Sequence, residues 1–155
     1  LENYRGEKVE YKDVEIEGAK SLEGIEGRCL DMTIKVKPGN YDRIFSRFTM
    51  YFAKDEDHSS RINFYPGENI FETDRRLSGS RRANIHQRSC NVKDLGGEIE
   101  LRIIMDRFSI EVFINGGEQA MTTAILTDPS AREICFECDG KAVIDITKYS
   151  LFSED

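Results

Sequence analysis

A strict alternation of apolar and polar side chains restricts what this chain can fold into. In the stretch from Leu30 to Lys37, apolar side chains occupy every second position (Leu30, Met32, Ile34 and Val36) and polar ones lie between them. Successive side chains of a β-strand point to opposite faces, whereas a helix repeats every 3.6 residues. The pattern therefore predicts a strand with one buried and one solvated face.

The same period-two pattern recurs along the chain, and turn-forming residues separate most of its occurrences. No window offers ten or more residues of helical spacing with a cap, so alternating β-α units are not expected. The predicted strands are Leu30–Val36, Ile44–Ala53, Arg61–Tyr65, Ile70–Thr73, Ile99–Met105, Ile110–Ile114, Gln119–Leu126, Glu133–Cys138 and Ala142–Tyr149.

Three segments have the composition of hairpin turns: 66–69, 115–117 and 139–140, read as Pro-Gly-Glu-Asn, Asn-Gly-Gly and Asp-Gly. Gly and Asn enter the positive-φ region that tight turns need, which predicts antiparallel neighbours. Many short antiparallel strands indicate an all-β fold: a two-layer antiparallel β-sandwich, jelly-roll-like and concanavalin-like. An open sandwich is favoured over a closed barrel, although alternation alone does not decide between them. The most costly core truncations are expected to include Val112, Phe113 or Ile114, with a buried Phe→Ala costing about 3–5 kcal/mol.

The length and the net charge of the chain limit its number of domains and its classes of partner. A chain of 155 residues is typical of one domain, here 1–155. With a net charge of −7 and a pI near 5.0, nucleic acid and anionic membranes are not expected partners. No apolar run approaches the roughly 20 residues that span a bilayer. Because the chain starts at Leu1 and continues into a charged run, we expect it to be a fragment of a longer protein.

The four cysteines are expected to be free thiols. Their spacings form no compact disulfide framework, and neither a signal peptide nor an Asn-x-Ser/Thr acceptor occurs, which favours the cytoplasm. Cys135 and Cys138 match C-x-x-C, but they lie in a predicted strand, where positions three apart face opposite sides. No metal site and no cofactor are therefore predicted.

Groups for catalysis are sparse. His58 and His86 lie in polar, turn-like stretches without a nucleophile elbow, and Gly116-Gly117 connects two strands rather than preceding a helix that holds phosphate. Of the 29 acidic residues, Asp106 and Glu111 are the candidates for an acid/base pair, because both flank apolar residues. The simpler interpretation is that Asp106 accepts backbone N–H bonds in a turn and that Glu111 lies on the solvated face of a strand.

The run from Leu101 to Thr122, LRIIMDRFSIEVFINGGEQAMT, resembles the signature of the C-terminal β-sandwich of glycoside hydrolase family 32. Invertases, sucrose-phosphate hydrolases, levanases and inulinases belong to that family. Its D-R-x-S-[VIL]-E-[VIL]-F-[VIL]-N pattern is matched at Asp106, Arg107, Ser109, Ile110, Glu111, Val112, Phe113, Ile114 and Asn115, followed by the Gly-Glu pair at 117–118. An upstream D-R-x-x-S-G segment is matched at Asp74, Arg75, Ser78 and Gly79.

The resemblance implies an accessory domain of an enzyme that hydrolyses sucrose or fructans. In the family, an Asp nucleophile and a Glu acid/base belong to an N-terminal five-bladed β-propeller with W-[ML]-N-D-P, R-D-P and E-C-P motifs. None of these motifs occurs here, and the nearest approaches, Thr127-Asp128-Pro129 and Glu137-Cys138-Asp139, lack the Arg and the Pro respectively. The resemblance therefore implies no catalytic residue in this chain.

Two roles remain open for the sandwich itself. In one, it is a structural module that docks on its own N-terminal propeller, with a homo-oligomer contact as a second option. In the other, it is a carbohydrate-binding module for a fructan or sucrose-type ligand. Such modules usually present Trp, which is absent here, although Tyr41, Tyr51 and Tyr65 could substitute. The structural role is favoured.

From Arg75 to Lys93 the chain has six basic residues and no acid. This segment is either a solvated loop balanced by neighbouring acids or a surface facing an anion. The anion would be an acidic patch on the propeller, a second subunit or the phosphate of a sugar. We expect the D-R-x-x-S-G turn to fix Arg75. The remaining candidate docking residues are expected to be partly exposed: Arg76, Arg81, Arg82 and Arg88.

Overall fold

The computed structural model describes residues 5–78 and 87–151. All regular secondary structure within these residues is β-strand. The strands are β1 (Arg5–Lys20), β2 (Leu30–Pro38), β3 (Phe48–Lys54), β4 (Ser60–Tyr65), β5 (Ile70–Asp74), β6 (Gln87–Asn91), β7 (Ile99–Met105), β8 (Ser109–Ile114), β9 (Gln119–Ala124) and β10 (Glu133–Leu151).

Strand β10 joins the two layers. Its first half, Glu133 to Cys138, pairs with β3, and its second half, Ala142 to Ser150, pairs with β2. The order β6-β5-β4-β3 continues from the first half, which we call layer A, and β2-β7-β8-β9 continues from the second, which we call layer B. Strand β1 runs antiparallel to β10 over both halves. The predicted all-β, two-layer antiparallel sandwich is confirmed.

The core lies between the layers and consists of the apolar halves of the alternating strands. Ile34, Leu101 and Val112 from layer B are fully buried, as are Met50 and Phe71 from layer A. Phe48 and Phe136 stack with their ring centroids 6.2 Å apart. Burial of these side chains stabilises the sandwich at about 25 cal/mol per Å² of apolar surface removed from water.

The predicted hairpin at Asp139-Gly140 is wrong, because β10 continues through both residues. The carboxylate of Asp139 instead accepts the backbone N–H groups of Ser46 and Arg47 at 3.0 and 2.9 Å. Gly140 passes so close to Phe45 that a Cβ on the glycine would lie 3.1 Å from the Phe45 Cβ. Asp and Gly therefore mark the point where one strand crosses between layers, which is a bend rather than a reversal.

Two strands carry no clear alternation and were not predicted. In β1 the apolar positions change phase between Tyr11 and Val14, where the register with β10 shifts and Asp13 has φ 52°. Strand β6 is a polar edge strand, mostly exposed. Two boundaries also differ: β3 begins at Phe48, with Ile44 exposed, and β9 ends at Ala124.

Of the three candidate core positions at 112–114, two are in the core and the middle one, Phe113, is not. Val112 and Ile114 are fully buried, but Phe113 lies on the opposite, outer face of β8 and is partly exposed. Adjacent strand residues cannot share a face, so burial of Val112 and Ile114 directs Phe113 outward.

Candidate functional site

The turn between β7 and β8 is built by Asp106 and Ser109. One carboxylate oxygen of Asp106 accepts the backbone N–H groups of Phe108 and Ser109 at 2.8 and 2.7 Å, and the other accepts the Ser109 hydroxyl at 3.1 Å. The backbone carbonyl of Arg107 in the same turn accepts a hydrogen bond from the buried Arg28 guanidinium. These contacts assign Asp106, Arg107 and Ser109 to maintaining the turn.

Two further motif residues of β8 point away from the core. Glu111 and Phe113 lie on the outer face of layer B. Asn115 follows the strand with φ 51°, and its side-chain oxygen accepts the Glu100 backbone N–H at 2.9 Å. The Asn115 amide thus closes the end of the β7–β8 pair, a role suited to a residue that tolerates positive φ.

Asp74 is the centre of the upstream motif. It is buried, and its carboxylate accepts hydrogen bonds from Arg76 at 2.8 Å and Arg61 at 3.3 Å. Burial acts to raise the pKa of Asp74, but the hydrogen bonds from Arg76 and the charges of Arg61 and Arg76 outweigh it and lower the pKa. The carboxylate therefore stays ionised and bound, without the raised pKa that a general acid requires.

Arg75 faces the other way. Its guanidinium donates to the backbone carbonyl of Ala124 at 3.2 Å, which links the end of β5 to β9 in the opposite layer, and the Ser78 N–H donates to its carbonyl at 3.0 Å. Burial, and then the positive charge of nearby Arg88, lower the pKa of Arg75. Two arginines thus lie together beside the gap between the edge strands β6 and β9, where Arg88 and Ala120 line a common groove.

The structure describes some of the predicted docking arginines and not others. The Arg76 side chain is 56% exposed although it is paired with Asp74, and Arg88 is exposed on β6. Gly79, Arg81, Arg82 and His86 lie outside the described residues.

The three candidate tyrosines do not form one platform. Tyr51 and Tyr65 lie on the outer face of layer A, where their hydroxyls donate to Glu137 at 3.0 Å and Glu72 at 3.3 Å. The Arg61 guanidinium lies 5.9 Å from the centre of the Tyr51 ring. Tyr41 lies elsewhere, in the β2–β3 connection, and donates to Glu98 at 2.9 Å.

Histidine and cysteine form no reactive centre in the described part of the chain. His58 is exposed beside Asp55, with its Nδ1 3.7 Å from the carboxylate. Cys138 is buried and Cys135 lies on the other face of β10. Burial raises the pKa of the Cys138 thiol to about 11, which disfavours the reactive thiolate. Residues 5–78 and 87–151 contain no group of three His, Cys, Asp or Glu side chains placed to bind a metal ion.

A groove crosses the outer face of layer B, and sequence reasoning did not identify it. It consists of two adjoining depressions that share Glu100. The first is lined by Lys35, Lys37, Glu98, Asn115 and Asp145, among others; the second is lined by Thr33, Arg102, Phe113, Gly116 and Gly117. We call this feature the layer-B groove. No local signal reveals it, because its residues come from β2, β7 and the residues just before it, β8, β10 and the β8–β9 turn.

Comparison with known proteins identifies the family. The family model described as "Glycosyl hydrolases family 32 C terminal" matches residues 1–152. The chain belongs to this family. The resemblance to glycoside hydrolase family 32, drawn from the motifs around Asp74 and Asp106, is thereby confirmed. Within the described residues, no helix is long and apolar enough to cross a membrane.

Two curated family 32 relatives come from Bacillus subtilis (strain 168). A levanase is 29% identical over 140 residues, which cover 85% of this chain and 20% of the relative. A sucrose-6-phosphate hydrolase is 25% identical over 93 residues, which cover 60% of this chain and 18% of the relative. The chain thus spans about a fifth of the length of the curated relatives it matches.

Solved family 32 structures share the fold. Exo-inulinase from Aspergillus awamori superposes with a TM-score of 0.75 at 17% identity, over 95% of this chain and 29% of that one. Sucrose-6-phosphate hydrolase from Lactobacillus gasseri also gives 0.75, at 20% identity, over 97% and 29% of the two chains. At these identities the likeness is one of architecture.

Proposed function

We propose that the chain is the non-catalytic C-terminal domain of a family 32 glycoside hydrolase that acts on sucrose-type sugars or fructans. The observation that carries the proposal is the match of a C-terminal family model to nearly the whole chain, together with relatives of whose length the match covers about a fifth. The printed activities of those relatives, levanase and sucrose-6-phosphate hydrolase, support the substrate class.

The geometry supports a non-catalytic role. Two acidic residues of the motifs are committed to structure: Asp106 to a turn and Asp74 to arginines. A retaining glycosidase needs two carboxyl groups about 5–5.5 Å apart, one of which is held protonated. Because Asp74 has a lowered pKa, it does not meet that requirement.

The proposed role is to dock on the N-terminal catalytic part of the same protein. The basic corner formed by Arg75 and Arg88 supports this, because clustered arginines gain most from an acidic partner surface. Arg76 is already neutralised by Asp74 and contributes less. The alternative partner for this corner is a second copy of the chain, in a homo-oligomer. A cytoplasmic location remains a prediction from the sequence.

The test uses the catalytic part of the parent enzyme, produced separately, and the 155-residue chain. We expect the chain alone to release no fructose from sucrose, levan or inulin, and to associate with the catalytic part and raise its Tm. Fructose release by the pure chain would contradict the non-catalytic role. Failure to associate would contradict the docking role.

Charge reversal identifies the docking corner. Arg88→Glu, alone or with Arg81→Glu and Arg82→Glu, should weaken association, most strongly at low salt, because exposed charges are screened over about 10 Å at 0.1 M. Lys12→Glu, an exposed position on β1, is the matched control and should leave association unchanged. Equal association for wild type and the Arg variants at every salt concentration would remove this corner from the interface.

A further inference from the structure

We propose that the layer-B groove binds a neutral oligosaccharide. The site is distinct from the basic corner used for docking, and it does not depend on the activity proposed for the parent enzyme. Its support comes from the shape, the charge and the aromatic residues of the groove.

The groove follows the outer face of β7. Glu98, Glu100 and Arg102 occupy alternate positions and therefore share one face. The four steps from Glu98 to Arg102 span about 13 Å in an extended chain, at ~3.3 Å per residue. An elongated depression of this length is suited to a short chain of sugar rings.

The formal charges of the residues that line the groove are balanced. Lys35, Lys37 and Arg102 line it together with Glu98, Glu100 and Asp145, so three positive groups are interspersed with three negative ones. An anionic ligand would meet the carboxylates and a cationic ligand would meet the ammonium and guanidinium groups. A neutral ligand whose groups both donate and accept hydrogen bonds meets neither penalty, and sugar hydroxyls have that property.

Two of the charged side chains in the groove, those of Lys35 and Glu100, have hydrogen-bonding capacity to spare, whereas two others are already engaged. Asp145 accepts the Asp13 backbone N–H at 2.8 Å, and Arg102 donates to Asp31 at 3.1 Å. The ammonium group of Lys35 and the carboxylate of Glu100 have no hydrogen-bond or ion-pair partner among residues 5–78 and 87–151, although they occupy paired positions on neighbouring strands. They present a donor and an acceptor side by side in the middle of the groove.

One aromatic ring lies in the groove and another lies next to a groove residue. Phe113 lines one depression together with Gly116 and Gly117, and it is partly exposed. Tyr41 does not line the groove, but it is 56% exposed and donates a hydrogen bond to Glu98, which does. The negative face of an aromatic ring attracts the slightly positive C–H groups of a sugar. Tyr51 on layer A has its ring beside Arg61 and its hydroxyl on Glu137, so layer A offers a poorer platform.

The first test is an NMR titration of the 155-residue chain with nystose and with maltotetraose, both neutral tetrasaccharides. Sucrose 6-phosphate is the anionic comparator. We expect saturable shifts of amide signals confined to the groove, around Lys35, Glu100, Phe113 and 115–117, for at least one neutral sugar. No saturable shift with either sugar, shifts confined to layer A, or tighter binding of sucrose 6-phosphate would each overturn the proposal.

The second test is the double variant Lys35→Ala with Glu100→Ala. It removes one charge of each sign from exposed, unpartnered positions, so the net charge and the fold are retained. Binding should weaken about tenfold, as expected when two hydrogen-bonding groups are lost. Tyr41→Ala should also weaken it. The matched control is Phe108→Ala, which removes a 66% exposed ring from the β7–β8 turn and should leave binding unchanged. Unchanged binding in the double variant would overturn the proposal, whatever the outcome of the docking experiment.

Discussion

At the residue scale, one step along β8 separates a core position from a surface position. Ile114 is fully buried between the layers, whereas Phe113 lies on the outer face against the layer-B groove. Both are large apolar residues in one run, and their contributions to stability should differ because the stabilisation scales with apolar area removed from water.

Ile114→Ala is expected to lower the free energy of unfolding by about 2–5 kcal/mol, the usual range for a buried Ile. Phe113→Ala should cost less than Ile114→Ala, since part of the ring is already in contact with water. Urea unfolding of both variants measures the difference. A larger loss for Phe113→Ala would mean that the ring is buried and that the face assignment of β8 is wrong.

Asp31 illustrates a charge held by its neighbours. It is buried and accepts hydrogen bonds from Arg5 at 2.8 Å and Arg102 at 3.1 Å. Burial acts to raise the pKa of Asp31, but the hydrogen bonds and charges of Arg102 and Arg5 outweigh it, so the pKa is lowered. A carboxyl group whose folded-state pKa is lowered stabilises the fold above its unfolded-state pKa, and that stability is lost as the pH falls.

The unfolding free energy should therefore decrease as the pH is lowered below about 5, toward the folded-state pKa values of Asp31 and Asp74. Asp31→Asn should be less stable at neutral pH and show a shallower decrease. Asp57→Asn, at an exposed position, is the control and should keep the wild-type slope. Equal slopes for Asp31→Asn and wild type, measured by urea unfolding at several pH values, would remove Asp31 from the pH dependence.

At the element scale, β10 determines the architecture, because a single strand of 19 residues contributes to both layers. Its crossing point requires close approach to the β2–β3 connection. The backbone of Gly140 lies against Phe45, and Asp139 binds the N–H groups of Ser46 and Arg47.

Gly140→Ala should destabilise the sandwich by about 1–3 kcal/mol, the usual cost of overpacking, because the added methyl group would lie 3.2 Å from the Cα of Phe45. Gly67→Ala is the matched control: no atom lies within 4 Å of the added Cβ, so stability should change little. Thermal unfolding compares the two. If both variants had the wild-type Tm, the strand crossing would not require this close contact.

At the scale of the whole molecule, Arg28 links three connecting segments at one end of the sandwich. Its guanidinium is buried and donates to backbone carbonyls in two other segments: Arg107 in the β7–β8 turn, and Thr127 and Ala131 in the β9–β10 connection. Arg28 itself lies in the β1–β2 connection. Burial lowers the pKa of this guanidinium, although neighbouring Asp128 opposes the effect.

Arg28→Met should cost about 3 kcal/mol or more, because buried carbonyl groups would lose their donors. Arg28→Lys should not restore stability, since an ammonium group lacks the planar fork that reaches several carbonyls at once. Arg43→Met, at an exposed position, is the control and should be nearly neutral. Full stability of Arg28→Lys in urea unfolding would show that only a positive charge is needed there.

Local pattern was sufficient for much of this fold. The strands with clean alternation, such as β2 and β7, and the turns at 66–69 and 115–117 follow from the sequence because side-chain period and turn conformation are local properties. The turns at the family motifs around Asp74 and Asp106 are also partly local, since each contains hydrogen bonds between residues two or three apart.

Only the tertiary structure decided the features that depend on partners distant in sequence. The phase change in β1 is readable only against its register with β10, and the polar strand β6 forms because β5 supplies its hydrogen bonds. Whether Asp139-Gly140 reverses the chain or bends it depends on Phe45, about 95 residues away. The layer-B groove likewise joins Lys35, Glu100 and Asp145 from three strands. Alternation specifies which residues share a face of a strand, but long-range pairing decides which strands are neighbours.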